Sequence, residues 1–459
     1  MPVSPIPIVI RWISRRSLRW FYRDICFVGR EHIPANGPVL LIGNHPNDLP
    51  DVLAGFFTTP RPVRYVATIS ATMLPLASST YRAMGVIPVM RVRDVRKMRA
   101  RGLDVGAVNK SAFDEVQAAF ELGHIVGAFP EGGVHDTSMV GPFRAGVAKM
   151  ALSSVYDGAI NDLSIVPFGL QYEAPQRARS DLTVVIGRPL RVREFLADAT
   201  DAGHPAHAAA LSTRLHRALL AVTRNSHSWE TAAVRDRLVA VVAALTSTDG
   251  ASLLETASAS QHRCAGLVEA DEMASHSATD DIVHWRTIAD PVSAAVREAG
   301  GIETSTLDVA RVLSAAGVRA SSPRWPSALW VAVAALPALV GLALHAPLWA
   351  AVRRTARHLT EVRTDYAAKA ILPGLHLIFL GYLMLGGLFA LALRAVGWSP
   401  WWALAAVVCL PWLGDLGLTW RDAVRSLRLR RRVRRWPAPD RAALSDAAAR
   451  VRAAWSALP

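Results

Sequence analysis

Three long stretches without a charged residue limit what the last third of this chain can become. Residues 325–352 include no Asp, Glu, Lys or Arg, and neither do residues 370–393 or 395–414. A helix needs about 20 apolar residues to cross a hydrocarbon layer ~30 Å thick, and each run reaches that length. Ten of the fourteen tryptophans fall at or after Trp325, where interfacial ring anchors would lie. Three such runs in succession fit membrane-embedded helices over 325–420 better than the buried helices of a water-soluble domain. Directly after them, residues 421–436 carry eight arginines and one acid, Asp422. Beside a membrane segment, such a run is expected to meet anionic lipid headgroups. Residues 421–459 therefore read as a basic cytosolic tail.

The rest of the chain is organised differently. At 459 residues it is long enough for two or three domains. Its formal charge of +14 favours anionic partners, but nucleic acid would also need a reading module, and none is visible. Cys26, Cys264 and Cys409 lie far apart and form neither a disulfide framework nor a metal pattern. Residues 1–26 mix apolar side chains with Arg11, Arg15, Arg16 and Arg19, as an amphipathic interfacial helix would, with the helix starting after Pro5 and Pro7. Residues 27–200 alternate short apolar runs (39–42, 64–68, 125–129, 163–168 and 182–186) with helical spacing at 112–122 and 147–155. That alternation predicts an α/β domain with a mostly parallel sheet and flanking helices. Residues 201–324 are Ala-rich and helical in pattern, with no chemical constellation. The expected fold class is thus α/β, then a helical region, then C-terminal membrane helices.

Four short segments carry the chemistry. Residues 37–51 read GPVLLIGNHPNDLPD, an apolar strand running into Asn44 and His45 with two acids close behind. Residues 85–91 read GVIPVMR, residues 129–136 FPEGGVHD and residues 165–170 IVPFGL. In order and spacing the four resemble the glycerophospholipid acyltransferases, the PlsC-like group that acts on glycerol phosphates and lysophosphatidate. The likeness covers roughly residues 20–190, under half the chain. It departs from the family at one point. The usual pattern is His, four residues, then Asp, whereas here position 50 is Pro, with Asp48 before it and Asp51 after it. The HPNxLxD form resembles a branch of the family in which the acid is Asp51. Asp48 is then left as a helix N-cap.

The resemblance implies roles that the residue types can fill. A hydroxyl attacking a thioester needs a base, and histidine suits that task near neutral pH. His45 with Asp51 would be the catalytic pair, the carboxylate fixing the ring tautomer as in the serine-protease triad. Arg91 would grip a phosphate with its planar fork, and Arg144 would serve either substrate. Glu131 would bond the acceptor hydroxyls or orient its loop. Gly132 and Gly133 would let backbone approach a ligand, Asn44 would bond in the turn, and Pro167 would line the acyl or thioester side. His135 and Asp136 read as loop-shaping or substrate-contacting residues, and His345 and His376 are given no role. No metal or cofactor is called for, with acyl-CoA or acyl carrier protein as co-substrate. The implied activity is acyl transfer to glycerol 3-phosphate or dihydroxyacetone phosphate. The alternatives are lysophosphatidate as acceptor, or a non-catalytic lipid-binding protein on a degenerate copy of the fold.

The expected location is a membrane of the bacterial inner-membrane type, with the catalytic domain cytosolic. Excess positive charge puts residues 421–435 on the cytosolic side as well. Three full spans would separate the two. Residues 370–393 and 395–414 make a plausible hairpin, and residues 353–369 carry five Lys or Arg against two acids. Residues 325–352, with Pro337, His345 and Pro347, are therefore expected to enter the membrane and return, or to lie along its surface.

Overall fold

Apolar strands between Ile25 and Arg191 assemble into one eight-stranded sheet. The computed structural model describes residues 5–68, 85–90, 95–100, 102, 104–156, 160–198, 204–247, 253–274, 280–302, 304–318, 326–360 and 366–457. They divide into two compact units, Met1–Asn225 and Ser226–Pro459.

The first unit begins with α1 (Pro5–Phe21) and β1 (Ile25–Val28), then β2 (Val39–Gly43), α2 (Leu49–Gly55), β3 (Val63–Thr68) and β4 (Ile87–Val89). It continues through α3 (Val95–Arg99), α4 (Val105–Glu121), β5 (Ile125–Ala128), α5 (Gly146–Tyr156) and β6 (Ser164–Tyr172). It closes with β7 (Leu182–Ile186), β8 (Leu190–Arg191), α6 (Val192–Asp198) and α7 (His204–Leu220). The sheet order is β1-β7-β6-β2-β5-β3-β4, with β8 also on β6. All pairs are parallel except β6 with β7 and β6 with β8. The central strands β2 and β6 are buried along their whole length, which explains their nearly unbroken apolar sequences.

Pro167 sits inside β6, where a missing N–H would ordinarily break a ladder. It falls between the β8 pairing, which ends at Ile165, and the β7 pairing, which starts at Phe168. Its carbonyl faces that gap and accepts the Gly187 N–H at 2.8 Å.

Helix α1 starts at Pro5, earlier than the sequence suggested. Both prolines fall in its first turn, where an N–H has no helical acceptor to lose. Its inner face buries Ser14, Ser17, Leu18 and Phe21, and Trp12, Ile13, Arg15 and Arg19 stay exposed. Helix α7 belongs to this unit, because Leu211 and Leu215 enter the core beneath the sheet. The boundary expected at residue 200 therefore lies inside the first unit.

Just beyond β6, Glu173 is buried beside Asp181, Arg23 and Arg177. Burial, and then the Asp181 charge, push its carboxyl up to about 7. An unfolded chain would hold a Glu near ~4.3. The folded state thus binds the proton more tightly, so this contribution is complete below pH ~4 and is lost as pH rises through about 7. Glu173→Gln is expected to flatten the fall in melting temperature between pH 4.5 and 7, read by thermal scans of both proteins. An unchanged slope would remove Glu173 as its source.

All elements described in the second unit are helices: α8 (Trp229–Thr246), α9 (Leu253–Ala274), α10 (Asp280–Glu298), α11 (Thr306–Ala315) and α12 (Ala328–Val333). They continue as α13 (Ala335–Leu359), α14 (Tyr366–Ala395), α15 (Trp402–Arg434) and α16 (Ala438–Ala457). Helices α13, α14 and α15 are each long and apolar enough to cross a membrane. Entry and return within 325–352 is not what forms, because α13 is unbroken from Ala335 to Leu359. Pro337 lies in its first turn, and Pro347 removes only one interior bond. Within this bundle His345 is fully buried. Its Nδ1 faces the Gly341 carbonyl at 2.7 Å, so Nδ1 carries the proton and Nε2 accepts the Tyr382 hydroxyl at 2.8 Å. That pair ties α13 to α14, as polar side chains do between membrane helices.

The basic stretch is not a separate tail. Helix α15 runs through the third apolar run and on to Arg434 without a break. Its Leu429 and Val433 enter one core with Val241, Val292, Val309 and Leu444.

Candidate active site

Strand β2 ends at Gly43, and the residues that follow project from the carboxyl end of a parallel sheet, where such folds place their sites. Asn44 comes first. Its Oδ1 accepts the Leu170 N–H at 2.7 Å and its Nδ2 donates to the Leu170 carbonyl at 3.2 Å. This buried amide staples the end of β2 to β6, so its bonds run across the sheet and not within the turn.

His45 follows, held at three points. Its backbone N–H donates to Glu131 Oε1 at 2.8 Å. Its ring stacks on Phe129 at 4.1 Å between centroids. Its Nδ1 lies 2.9 Å from Asp51 Oδ2. The structure pairs His45 with Asp51 and not with Asp48. The additional residue in the loop is absorbed at Asp48, which adopts φ 51 before α2 begins. Asp48 occupies the N-cap position, but its side chain makes no capping bond, contrary to the role expected for it.

Asp51 is fully buried. It also accepts the Asn47 N–H at 2.7 Å and the Tyr172 hydroxyl at 2.6 Å. Burial pushes its carboxyl up, and the His45 ring, Tyr172 and Asn47 oppose that shift. Asn47 in turn donates from Nδ2 to the Tyr22 hydroxyl at 2.6 Å, which links the loop to the chain just after α1. With Nδ1 committed as donor to a carboxylate, Nε2 is the basic nitrogen of His45. Among the described residues it has no hydrogen bond, and the side chain is 14% exposed. The arrangement can therefore take a proton from a hydroxyl presented at Nε2.

Tyr172 was not singled out by sequence, because a tyrosine two residues beyond IVPFGL looks like a strand end. Its hydroxyl binds Oδ1 of Asp51, the oxygen that His45 does not use. Tyr172→Phe leaves that buried oxygen without its donor, so kcat is expected to fall about tenfold with KM little changed. Steady-state kinetics check this, and an unaltered kcat would make the hydroxyl a packing feature.

Glu131 is 8% exposed, and both of its oxygens are engaged within the chain. Oε1 takes the His45 N–H, and Oε2 takes the Gly141 N–H at 2.7 Å and the His135 Nε2. Of its two expected roles, the geometry is that of orienting the loop. The bond to Glu131 raises the His135 pKa. A protonated His135 donates to Glu131 and to Thr137 Oγ1, and the Thr137 hydroxyl donates in turn to the Met139 carbonyl at 2.8 Å. His135 is thus a loop-shaping residue.

Gly132 adopts φ 75 in the same turn, where a Cβ would come within 3.1 Å of Arg144 Cγ. Gly133 is half-buried beside it. Arg144 is exposed, its backbone N–H is bound to the Pro130 carbonyl at 2.8 Å, and it has no ion pair among the described residues. It leaves a cation at the rim of the FPEGG turn. Pro167 lies opposite Ile42 in the sheet, and it is the neighbouring Phe168 that reaches Phe129, at 6.1 Å. Arg91 lies outside the described residues.

Residues 24–171 match the family model described as Acyltransferase. Among curated proteins, glycerol-3-phosphate O-acyltransferase 2 of Saccharomyces cerevisiae is 30% identical over 123 residues, 27% of this chain and 17% of that protein. Glycerol-3-phosphate O-acyltransferase 1 of the same yeast is 39% identical over 71 residues, 16% of this chain and 9% of that one. An uncharacterized acyltransferase of Schizosaccharomyces pombe is 32% identical over 120 residues, 26% of this chain and 18% of its own length. The chain thus spans less than a fifth of the length of these relatives. Among solved structures, the 1-acyl-sn-glycerophosphate acyltransferase PlsC from Thermotoga maritima aligns with 46% of this chain and 78% of its own, at 14% identity and a TM-score of 0.34.

Proposed function

We propose that the acyltransferase-family domain over residues 24–171 moves a fatty acyl group from acyl-CoA or acyl carrier protein to a hydroxyl of glycerol 3-phosphate or dihydroxyacetone phosphate. The observation that carries this reading is the His45–Asp51 pair at 2.9 Å, with Nε2 left to face a substrate. The names of the yeast relatives support a glycerol phosphate as acceptor.

His45 Nε2 removes the acceptor's proton as its oxygen attacks the thioester carbonyl. Asp51 stabilises the imidazolium that forms, and the proton then goes to the departing thiolate. No acyl-enzyme is needed, because the hydroxyl attacks directly. The acceptor phosphate is gripped by Arg144 at the FPEGG turn and by Arg91. Glu131 keeps the His45 backbone and the 131–141 loop in register. The enzyme works at a membrane of the bacterial inner-membrane type, its catalytic domain on the cytosolic side with the phosphorylated acceptors and near anionic lipid.

The test is an assay of membranes holding the full chain, with labelled acyl donor, against glycerol 3-phosphate, dihydroxyacetone phosphate and lysophosphatidate. Transfer to either of the first two, lost in His45→Ala, supports the reading. Transfer to lysophosphatidate alone would reassign the acceptor. No transfer to any of them would leave a lipid-binding protein without this chemistry.

A further inference from the structure

Past its apolar stretch, helix α15 turns four arginines to one side. Arg421, Arg425, Arg428 and Arg432 are separated by four, three and four residues and so share one helix face. Together with Trp420, Leu429 and the turn at Gly300 they line a cavity of about 400 Å³. Two of them are held in place by the surrounding helices. Arg425 donates to Asp308 Oδ2 at 2.7 Å, and that buried carboxylate is itself fixed by the Ile302 N–H at 3.0 Å. Arg432 donates to the Ala299 carbonyl at 3.2 Å. Arg421 lies 3.5 Å from Asp422, and Arg428 has neither a hydrogen bond nor an ion pair among the described residues. Among the described residues these four cations therefore meet two carboxylates, and one of the two, Asp308, also faces Arg311 at 3.8 Å. Like charges crowded along one helix face repel, and a bound anion relieves that repulsion.

The cavity also has an apolar side, formed by Trp420, Val424 and Leu429. The Trp420 indole is fixed by a 2.8 Å bond to the Val331 carbonyl. It stands directly before Arg421 and five residues after Asp415, which closes the uncharged run, so the cavity lies near the end of a candidate span. A phosphate ester with an apolar attachment matches both walls. A small phosphate matches only the arginines.

We propose that this cavity binds the phosphate of an anionic phospholipid, whose apolar part lies along Trp420 and the uncharged stretch of α15. The site stands apart from the acyl-transfer reading, because it uses residues of the second unit alone. It is also more specific than attraction of an arginine run to a charged surface, because it assigns one lipid to a lined cavity.

Full-length protein in detergent, titrated with dioleoyl phosphatidate and read by native mass spectrometry, tests it. The wild type is expected to retain phosphatidate and not dioleoylglycerol, which has the same chains without the phosphate. Removing two arginines, each worth about fivefold near a charged lipid, should lower retention at least tenfold in R421Q/R428Q. R434Q/R435Q removes the same charge from exposed positions outside the cavity and should change it less than twofold. Arg428→Gln alone, which breaks no bond among the described residues, should give an intermediate loss with an unchanged melting temperature. Equal losses in the two double variants would show diffuse attraction and overturn the site. Displacement of phosphatidate by equimolar glycerol 3-phosphate would make it a site for small phosphates and overturn the lipid assignment. Failure of the wild type to retain phosphatidate would overturn both.

Discussion

His45→Ala is expected to lower acyl transfer at least ~100-fold, the usual contribution of a positioned general base. The sharper comparison is between the two acids of the same loop. Asp51→Asn removes the carboxylate that receives Nδ1–H at 2.9 Å and offers an amide in its place. An amide can donate to Nδ1, which would drive the ring to the tautomer with its proton on Nε2, and that tautomer cannot act as base. The loss should approach that of His45→Ala. Asp48→Asn should cost less than twofold. The Asp48 side chain makes no capping bond, and asparagine is among the few residues that accept its positive φ. Initial rates at matched protein amounts in membranes decide between them. If Asp48→Asn were the costlier change, the pairing of His45 with Asp51 would not be the working one.

How far the sequence could lead is clearest at this loop. Strands β2, β3, β5, β6 and β7 were legible because each is a short apolar run bounded by turn residues, and each formed within a residue or a few of its expected limits. The pairing of His45 with Asp51 was legible through motif resemblance, while spacing alone left Asp48 as a rival acid in the same loop. The geometry resolves it through the backbone turn at Asp48, which no composition signals. The engagements of Glu131 were hidden for a related reason. Its partners His45, His135 and Gly141 come from three places in the chain, and only the folded loop brings them to its two oxygens. Tyr172 and Tyr22 were missed because side chains at the end of a strand and just past a helix carry no periodic signal.

At the other end of the chain the apolar runs were plain, but their limits were not. Helix α15 ignores the change from apolar to basic residues at 421, because arginine is a good helix former and Leu429 and Val433 keep an apolar stripe going. The prolines at 337 and 347 suggested a reversal. A proline at a helix start costs nothing, and one in the interior bends a helix more readily than it reverses it.

The largest expected loss of stability comes from one glycine in the fourth motif. Gly169 lies in β6 with a Cβ position only 1.8 Å from the Val222 carbonyl oxygen and 2.4 Å from its carbon. Both are backbone atoms, so no side-chain rotation can make room. The turn after α7 has to lift off the strand. That turn is also where Gln171, two residues along and on the same strand face, donates from Nε2 to the Val222 carbonyl at 2.8 Å. Gly169→Ala therefore overpacks a buried contact and breaks a buried hydrogen bond together. Each effect costs ~1–3 kcal/mol, so the sum is expected to be about 3 kcal/mol or more. The change also reaches the chemistry. Leu170, whose backbone brackets Asn44, is the next residue, and Tyr172, which supports Asp51, is three residues on. Gly146→Ala is the matched control. It opens α5, has no neighbour within 4 Å of its Cβ position, and should be neutral or slightly stabilising. Thermal melts of the three proteins in detergent, with acyl transfer measured below the lowest transition, separate the outcomes. Gly169→Ala should melt well below the other two and keep less activity even while folded. If it melted with the wild type, the close approach of Val222 to β6 would carry no stability, and β6 would hold Tyr172 without help from that turn.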